Sequence, residues 1–347
     1  MTNKKRLIWQ IPFLIFLIAG AVYIIRQQPS LPYQKNYGEV FGTFYTVTYQ
    51  SELDLQEEIE AELKKVDDAL SMFNERSVIS RVNRGDSVIG DSEEERMFLE
   101  VLQLAQNISH ETDGYFDITV APLVNAWGFG FRTEQSPSID QIDSIREFVG
   151  YQLISCRTTE GGAVVTKGDP RLMLDCSAIA KGYGTDVVAN LLRNKGIKDF
   201  MVEIGGEVVT CGISPSRLPW RIGVTKPVDD SLSLRNEVQT VLNVTDRAMA
   251  TSGNYRNFYY KDGLKYAHTI DPRAGQPVQH SLLSVTVLAD NCAIADAYAT
   301  SFMVMGIDKA KELLERHPEL MAYFIYSDAN GDLAVWFSPS LEEYVED

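Results

Sequence analysis

Apolar positions along the chain recur at two periods. Residues 53–73 set Ile59, Leu63, Val66 and Leu70 at steps of four, three and four, the spacing of one face of an amphipathic helix. Asp91 or Ser92 can cap a second helix, with Glu93 to Glu95 in its first turn and Met97, Val101, Leu102, Ala105 and Ile108 as its apolar stripe. A third helix is expected over Ala180–Lys195, stopped by Gly196, a fourth over Cys292–Met305 and a fifth over Ile307–Arg316. Strand-like runs lie between them: Val40–Tyr49, Ala163–Val165, Leu172–Leu174, Phe200–Ile204, Trp220–Val224, Val238–Val244, Tyr266–Ile270 and Leu282–Leu288. Tyr323–Tyr326 and Leu333–Phe337 read as a hairpin around Asn330-Gly331, and 229–237 as a surface loop. Helices and strands neither alternate regularly nor repeat, which predicts an α+β fold rather than a doubly wound sheet.

The pattern changes at the N-terminus. Residues 7–25, LIWQIPFLIFLIAGAVYII, carry no charge, and at ~1.5 Å per residue they just reach across the hydrocarbon core of a bilayer. Lys4, Lys5 and Arg6 precede this stretch and Arg26 follows it, so the positive-inside rule keeps the N-terminus cytoplasmic and exports the rest. Two other readings compete at the same place. Ala19-Gly20-Ala21 resembles a signal-peptidase site, and Ile18-Ala19-Gly20 resembles a lipobox in which Ala21 stands where the acylated Cys would be. The expected organisation is an anchor or signal segment over 1–26, a polar, proline-containing tether over 27–38 and one large domain over 39–347. That places the protein in the cytoplasmic (inner) membrane as a single-pass protein, its domain on the extracytoplasmic, periplasmic side.

Composition narrows the function. The 347 residues are 45% hydrophobic, which excludes disordered, collagen-like and small disulfide-rich classes. Against 32 Lys+Arg stand 48 Asp+Glu, a net charge of −16, so the body repels polyanions and no nucleic-acid partner is expected. An anionic ligand would need dedicated donors, a metal, or both. Cys156, Cys176, Cys211 and Cys292 form no CxxC pair and have no His cluster beside them, which leaves zinc and redox chemistry without support and predicts free thiols.

Five segments look chemical. Thr112 to Gly130 is dense in Gly, aromatics and Asx without periodicity, a composition that suits a planar heterocycle or an ordered, turn-rich connection. Asp175 to Gly184 joins a strand to a helix through small residues; the helix N-terminus and Lys181 together suit an anion such as phosphate. Glu203-Ile204-Gly205-Gly206-Glu207 either admits a ligand close to the backbone or is simply a turn. His268 sits at a strand end, after Ala250-Thr251-Ser252-Gly253-Asn254 and beside a Pro- and Gly-punctuated loop, where a neutral imidazole can act as a general base. Asp296 and Thr300 lie one helical turn apart on one face, two oxygens suited to Mg²⁺.

In order, Gly42-Thr43-Phe44-Tyr45, Asp113 to Gly130 with its PLVNAWGFG core, SAIAKGYG at 177–184, EIGGE at 203–207, ATSGNYRN at 250–257, HTIDPRAGQPV at 268–278 and ADAYATSFMVMG at 295–306 resemble the ApbE family of FAD:protein FMN transferases. The resemblance runs from about Gly42 to Gly306. It implies a T-fold-related catalytic domain that takes FAD, moves its FMN half onto a Ser or Thr hydroxyl of an exported acceptor, and releases AMP. The implied acceptor is an electron-transfer subunit with an FMN-binding domain. By matching position, the resemblance implies FAD contacts from Phe41, Phe73, Tyr115, Phe116, Asp117, Asp175, Lys181 and Ile270. It implies Mg²⁺ held by Asp296, Thr300 and the Ala178 carbonyl, and His268, Asp296 and Lys181 as the catalytic set. Phe41 departs from the Met usual before Gly-Thr, and Ala299 stands where several relatives have a second acid. Two alternatives share these features: an FAD pyrophosphatase, and a periplasmic FAD-binding protein without chemistry.

Overall fold

The computed structural model describes residues 12–20, 31–86, 90–130, 137–159, 162–227, 237–254, 258–261 and 264–346. A helix over 12–20 (α1) is the described part of the stretch read as an anchor. Among the described residues, no helix is long and apolar enough to cross a membrane.

The frame is an eight-stranded antiparallel sheet in the order β1-β2-β5-β6-β9-β14-β15-β16. Its strands are β1 (Tyr33–Val40), β2 (Thr43–Gln50), β5 (Phe200–Ile204), β6 (Glu207–Cys211), β9 (Ala248–Gly253), β14 (Leu282–Ala289), β15 (Met321–Ser327) and β16 (Leu333–Phe337). Four two-stranded ribbons complete the β structure: β3 (Ile154–Thr159) with β4 (Gly162–Lys167), β7 (Trp220–Thr225) with β8 (Val238–Val244), β10 (Phe258–Lys261) with β11 (Leu264–Ala267), and β12 (Ile270–Asp271) with β13 (Gln276–Pro277). The helices are α2 (Gln56–Leu70), α3 (Val78–Arg84), α4 (Glu93–Glu111), α5 (Ala121–Ala126), α6 (Ile139–Arg146), α7 (Ala180–Asn194), α8 (Cys292–Met305) and α9 (Ile307–Leu314).

Period-two alternation separates two cores. Val209, Ala248, Ala250, Val287 and Phe324 meet the helices, whereas Val208, Met249, Leu288, Tyr323 and Ile325 meet the β7–β8 ribbon and Leu341 on the other face. On α2, Ile59, Leu63, Val66 and Leu70 are buried as their spacing predicts. Ser92 is the cap of α4, reciprocated by Glu95 in a capping box. α8 is buried along almost its whole length and packs across β9 and β14. Its N-terminus is held from outside: the Asp186 carboxylate on α7 accepts the N–H groups of Cys292 and Ala293, each at 2.8 Å.

The structure corrects several boundaries. The run Val40–Tyr49 is broken at Phe41-Gly42, where φ is +52° and +73°, a left-handed two-residue turn joining β1 to β2. Pairing starts at Tyr33, so part of the polar segment read as a tether belongs to the sheet. Leu172–Leu174 forms no strand; Met173 makes one isolated bridge to Val120. Tyr266–Ile270 divides between β11 and β12. The loop at 229–237 lies outside the described residues except for its last position. All four cysteines are free, Cys176 and Cys292 buried and the other two half-buried.

Candidate functional site

The short polar side chains of the sequence segments fold back on their own backbone, and that turns two loops into rigid walls. Asp117 Oδ1 accepts the Thr119 N–H at 2.8 Å and its hydroxyl at 2.7 Å, and Oδ2 accepts the Tyr151 N–H at 2.7 Å. That buried carboxylate is therefore spent on holding the loop, and burial pushes its pKa up despite those donors. Phe116 is buried in the main core beneath the loop. Trp127 Nε1 donates to the Gly275 carbonyl at 2.8 Å, which ties this loop to the 268–278 segment. Trp127, Leu123, Ile142 and Ile270 form a small core at that junction, so the Ile270 side chain is packed inside it.

His268 stands half-buried on the same junction, its ring edge-on to Phe129 with centroids 6.5 Å apart. Thr269 donates to Asn254 at 2.6 Å, bringing the 250–254 segment to the loop that carries His268. Tyr115 lies under two cations: the Arg273 guanidinium 4.2 Å from its ring centroid and the Lys309 ammonium 4.8 Å from it. The Asp175 N–H donates to the Ile118 carbonyl at 2.6 Å, joining this wall to the turn before α7. Asp175 itself is buried and accepts from the Ser177 backbone at 2.8 Å and from its hydroxyl.

The second wall is the first turn of α7 against α8. A Cβ on Gly182 would fall 2.3 Å from the Cys292 carbonyl oxygen and 2.8 Å from Asp296 Cβ, so only glycine permits this crossing. The Gly182 N–H donates to Asp296 Oδ2 at 3.0 Å. In a regular helix that donor serves the carbonyl four residues back, here that of Ala178. Spending it on Asp296 leaves the Ala178 carbonyl at the mouth of α7, next to a buried carboxylate, with Thr300 one turn further along α8. Carbonyl, carboxylate and hydroxyl are hard oxygen donors of the kind Mg²⁺ takes, so these residues fit such an ion; among the described residues no group of three or more His, Cys, Asp or Glu side chains is placed to hold a metal. Phe41 approaches the same turn, since a Cβ on Gly184 would meet its ring at 2.7 Å. Phe73, just after α2, is 79% exposed.

Lys181 is the cation of this wall. Its ammonium pairs with Glu207, which is 2% exposed at the start of β6. Burial works against the charge, but Asp296 and Glu207 outweigh it and hold Lys181 above the ordinary lysine range. Burial pushes Asp296 up as well, with Lys181 and the Gly182 N–H pulling the other way. Glu207 is pushed up to about 7 by burial, opposed by Lys181 and reinforced by Asp296. The sequence reading names Glu207 only as the end of the 203–207 segment and gives it no role of its own. Gly205 and Gly206, at φ +64° and +108°, are the two central residues of the β5–β6 hairpin, and the turn sets the acid after them against Lys181.

Fold and site together define an α+β enzyme in which a lysine in the first turn of a helix pairs with a buried glutamate near a turn-rich aromatic loop. The chain belongs to the ApbE family, whose model matches residues 41–324. It is 32% identical to an FAD:protein FMN transferase of Escherichia coli K12 over 346 residues, covering 95% of this chain and 97% of that protein. Among solved structures it resembles the flavin transferase ApbE from Vibrio cholerae, with TM-score 0.78 and 34% identity, covering 90% of this chain and all of that one. It also resembles the Pseudomonas stutzeri flavinyl transferase ApbE in its apo form, with TM-score 0.79 and 32% identity over 92% of this chain and 98% of that one.

Proposed function

We propose that this protein transfers the FMN half of FAD to a Ser or Thr hydroxyl of an exported acceptor protein, forming a phosphodiester and releasing AMP. The observation that carries the reading is the Lys181 ammonium in the first turn of α7, held by the buried Glu207 and within electrostatic reach of Asp296, a cation available to a pyrophosphate in a protein of net charge −16. The acceptor oxygen forms a bond to the FMN phosphorus while the bond from that phosphorus to the bridging oxygen breaks, and the bridging oxygen leaves on AMP. Lys181 stabilises the charge that builds on the phosphate oxygens. His268, on the loop fastened by Trp127, takes the proton of the attacking hydroxyl. Tyr115, with Phe116 and Asp117 behind it, offers an aromatic wall for the isoalloxazine, and Phe41, Phe73, Asp175 and the backbone at Ile270 border the rest of FAD. Mg²⁺ held by Asp296, Thr300 and the Ala178 carbonyl would supply further charge neutralisation at the pyrophosphate.

The uncharged 7–25 stretch and its basic flank support an inner-membrane anchor with the domain on the extracytoplasmic side, where an FMN-binding electron-transfer subunit is the acceptor. The test uses the full chain in detergent micelles with FAD, Mg²⁺ and such an acceptor domain, reading acceptor mass and free AMP. A mass gain of one FMN with equimolar AMP is expected. FMN and AMP without a mass gain would make the protein a pyrophosphatase, and retained FAD without products would make it a binding protein.

A further inference from the structure

Glu207 has features that the transfer chemistry above does not use. It is a carboxylate 2% exposed, one oxygen on the Lys181 ammonium and the other, Oε2, buried with no hydrogen-bond partner. A carboxylate in that state is costly, and a glutamate kept there for packing alone would be matched by an apolar side chain. The backbone is built to put it there. Gly205 and Gly206 take left-handed conformations, and a Cβ on Gly205 would fall 2.8 Å from Thr43 Cγ2, so the hairpin is pressed onto the β1–β2 turn that also carries Phe41. Lys181 reaches Glu207 across 26 residues of chain from the first turn of α7, where the Ala180, Gly182 and Tyr183 N–H groups already serve Cys176, Asp296 and Ile179, so the Lys181 ammonium carries the attraction this turn offers an anionic ligand.

We propose that Glu207 is a positioning residue for the transfer, holding the Lys181 ammonium over the mouth of α7 and away from Asp296. The proposal rests on the functional reading above. Without the Glu207 charge, Lys181 has Asp296 as its remaining anionic partner in this wall and turns from the ligand towards α8.

The test is a double-mutant cycle on the full chain with Glu207→Gln, Lys181→Met and the pair, read as kcat, KM for FAD, and FAD affinity without acceptor. Gln keeps the length of the side chain and an oxygen that accepts from the ammonium, so a packing role would survive it. For Glu207→Gln the expected result is a kcat lower by about 10- to 100-fold, as for a misplaced catalytic group, with KM moved less than about threefold. In the Lys181→Met background the same change is expected to have no effect on kcat or on FAD affinity. Wild-type kcat in Glu207→Gln, or equal losses with and without Lys181, would overturn the proposal. The fold of the tested variant is checked by thermal unfolding, where Glu207→Gln is expected to stay near the wild-type temperature, and Glu207→Asp, which keeps the charge on a shorter arm, is expected to lose less kcat than Glu207→Gln. Should the wild type transfer nothing, the functional reading fails, and the affinity cycle alone decides: an effect of Glu207→Gln on FAD affinity of about two- to threefold that disappears without Lys181 supports the positioning role, and the same effect in both backgrounds, or none in either, refutes it.

Discussion

Single atoms decide the site at Gly182. A methyl group there would meet the Cys292 carbonyl at 2.3 Å, backbone that no side-chain rotation can relieve. Gly182→Ala must therefore push α7 off α8, and overpacking of this kind costs roughly 1–3 kcal/mol, read as a lower midpoint in urea with an unchanged slope. If Asp296 holds Mg²⁺ as proposed, then, because the Gly182 N–H holds Asp296, the same variant is expected to need more Mg²⁺ for half-maximal transfer; an unchanged Mg²⁺ requirement would separate the crossing from the metal. His268 makes a different expectation. If it takes the proton of the acceptor hydroxyl, His268→Ala slows single-turnover AMP release by about 10²- to 10⁴-fold and leaves FAD affinity near the wild-type value. A variant that binds FAD poorly but transfers at the normal rate once saturated would assign His268 to binding instead.

At the scale of elements, α8 carries Asp296 and Thr300, and its own seat depends on α7. Asp186 satisfies two of the N–H groups at its N-terminus, and Asn291 caps a third, Ile294, at 3.1 Å. Asp186→Ala leaves two buried donors without partners, a loss of roughly 1–3 kcal/mol that thermal or urea unfolding would register. An unchanged midpoint would mean that water replaces the carboxylate. How much of this was legible follows from the reach of each signal. The amphipathic stripe of α2, the caps of α4 and the small-residue start of α7 are local, and they read correctly. Asp186 is silent in sequence because its partners lie 106 and 107 residues away. Glu207 carries no role in the sequence reading because the Gly-Gly pair before it reads equally as a ligand approach or as a plain turn, and its partner Lys181 lies 26 residues away. The short helices α3, α5 and α6 hold too few turns to show a period, and β6 and β9 were missed as strands. Asp117, expected as a ligand contact, uses its carboxylate to fix the loop through Thr119 and Tyr151, a link to residue 151 that no local pattern shows.

The whole molecule concentrates acid in its interior, and that sets the direction in which its stability moves with pH. Burial pushes Asp186 up to about 6 and Glu207 up to about 7, against an ordinary carboxyl near 4. A carboxyl whose folded pKa exceeds its unfolded value binds the proton more tightly in the native state. Its stabilising contribution is complete below the unfolded value and is lost as pH rises through the folded one. For these two groups stability therefore falls between about pH 4 and pH 7. Asp169 behaves in the opposite sense, lowered to about 2 by Arg171, but what it contributes is lost only at pH below its unfolded value and does not touch this window. A net charge of −16 adds self-repulsion that also relaxes as carboxylates protonate. The unfolding temperature of the full chain is thus expected to rise as the buffer goes from pH 8 to about 5.5, and Asp186→Asn to flatten the part of that slope near pH 6. Added salt separates the two causes, because screening shrinks long-range repulsion and leaves the desolvation of buried acids in place. A slope that persists at high ionic strength assigns the effect to Asp186 and Glu207; one that vanishes assigns it to surface charge, and an unfolding temperature that falls towards pH 5.5 would overturn both.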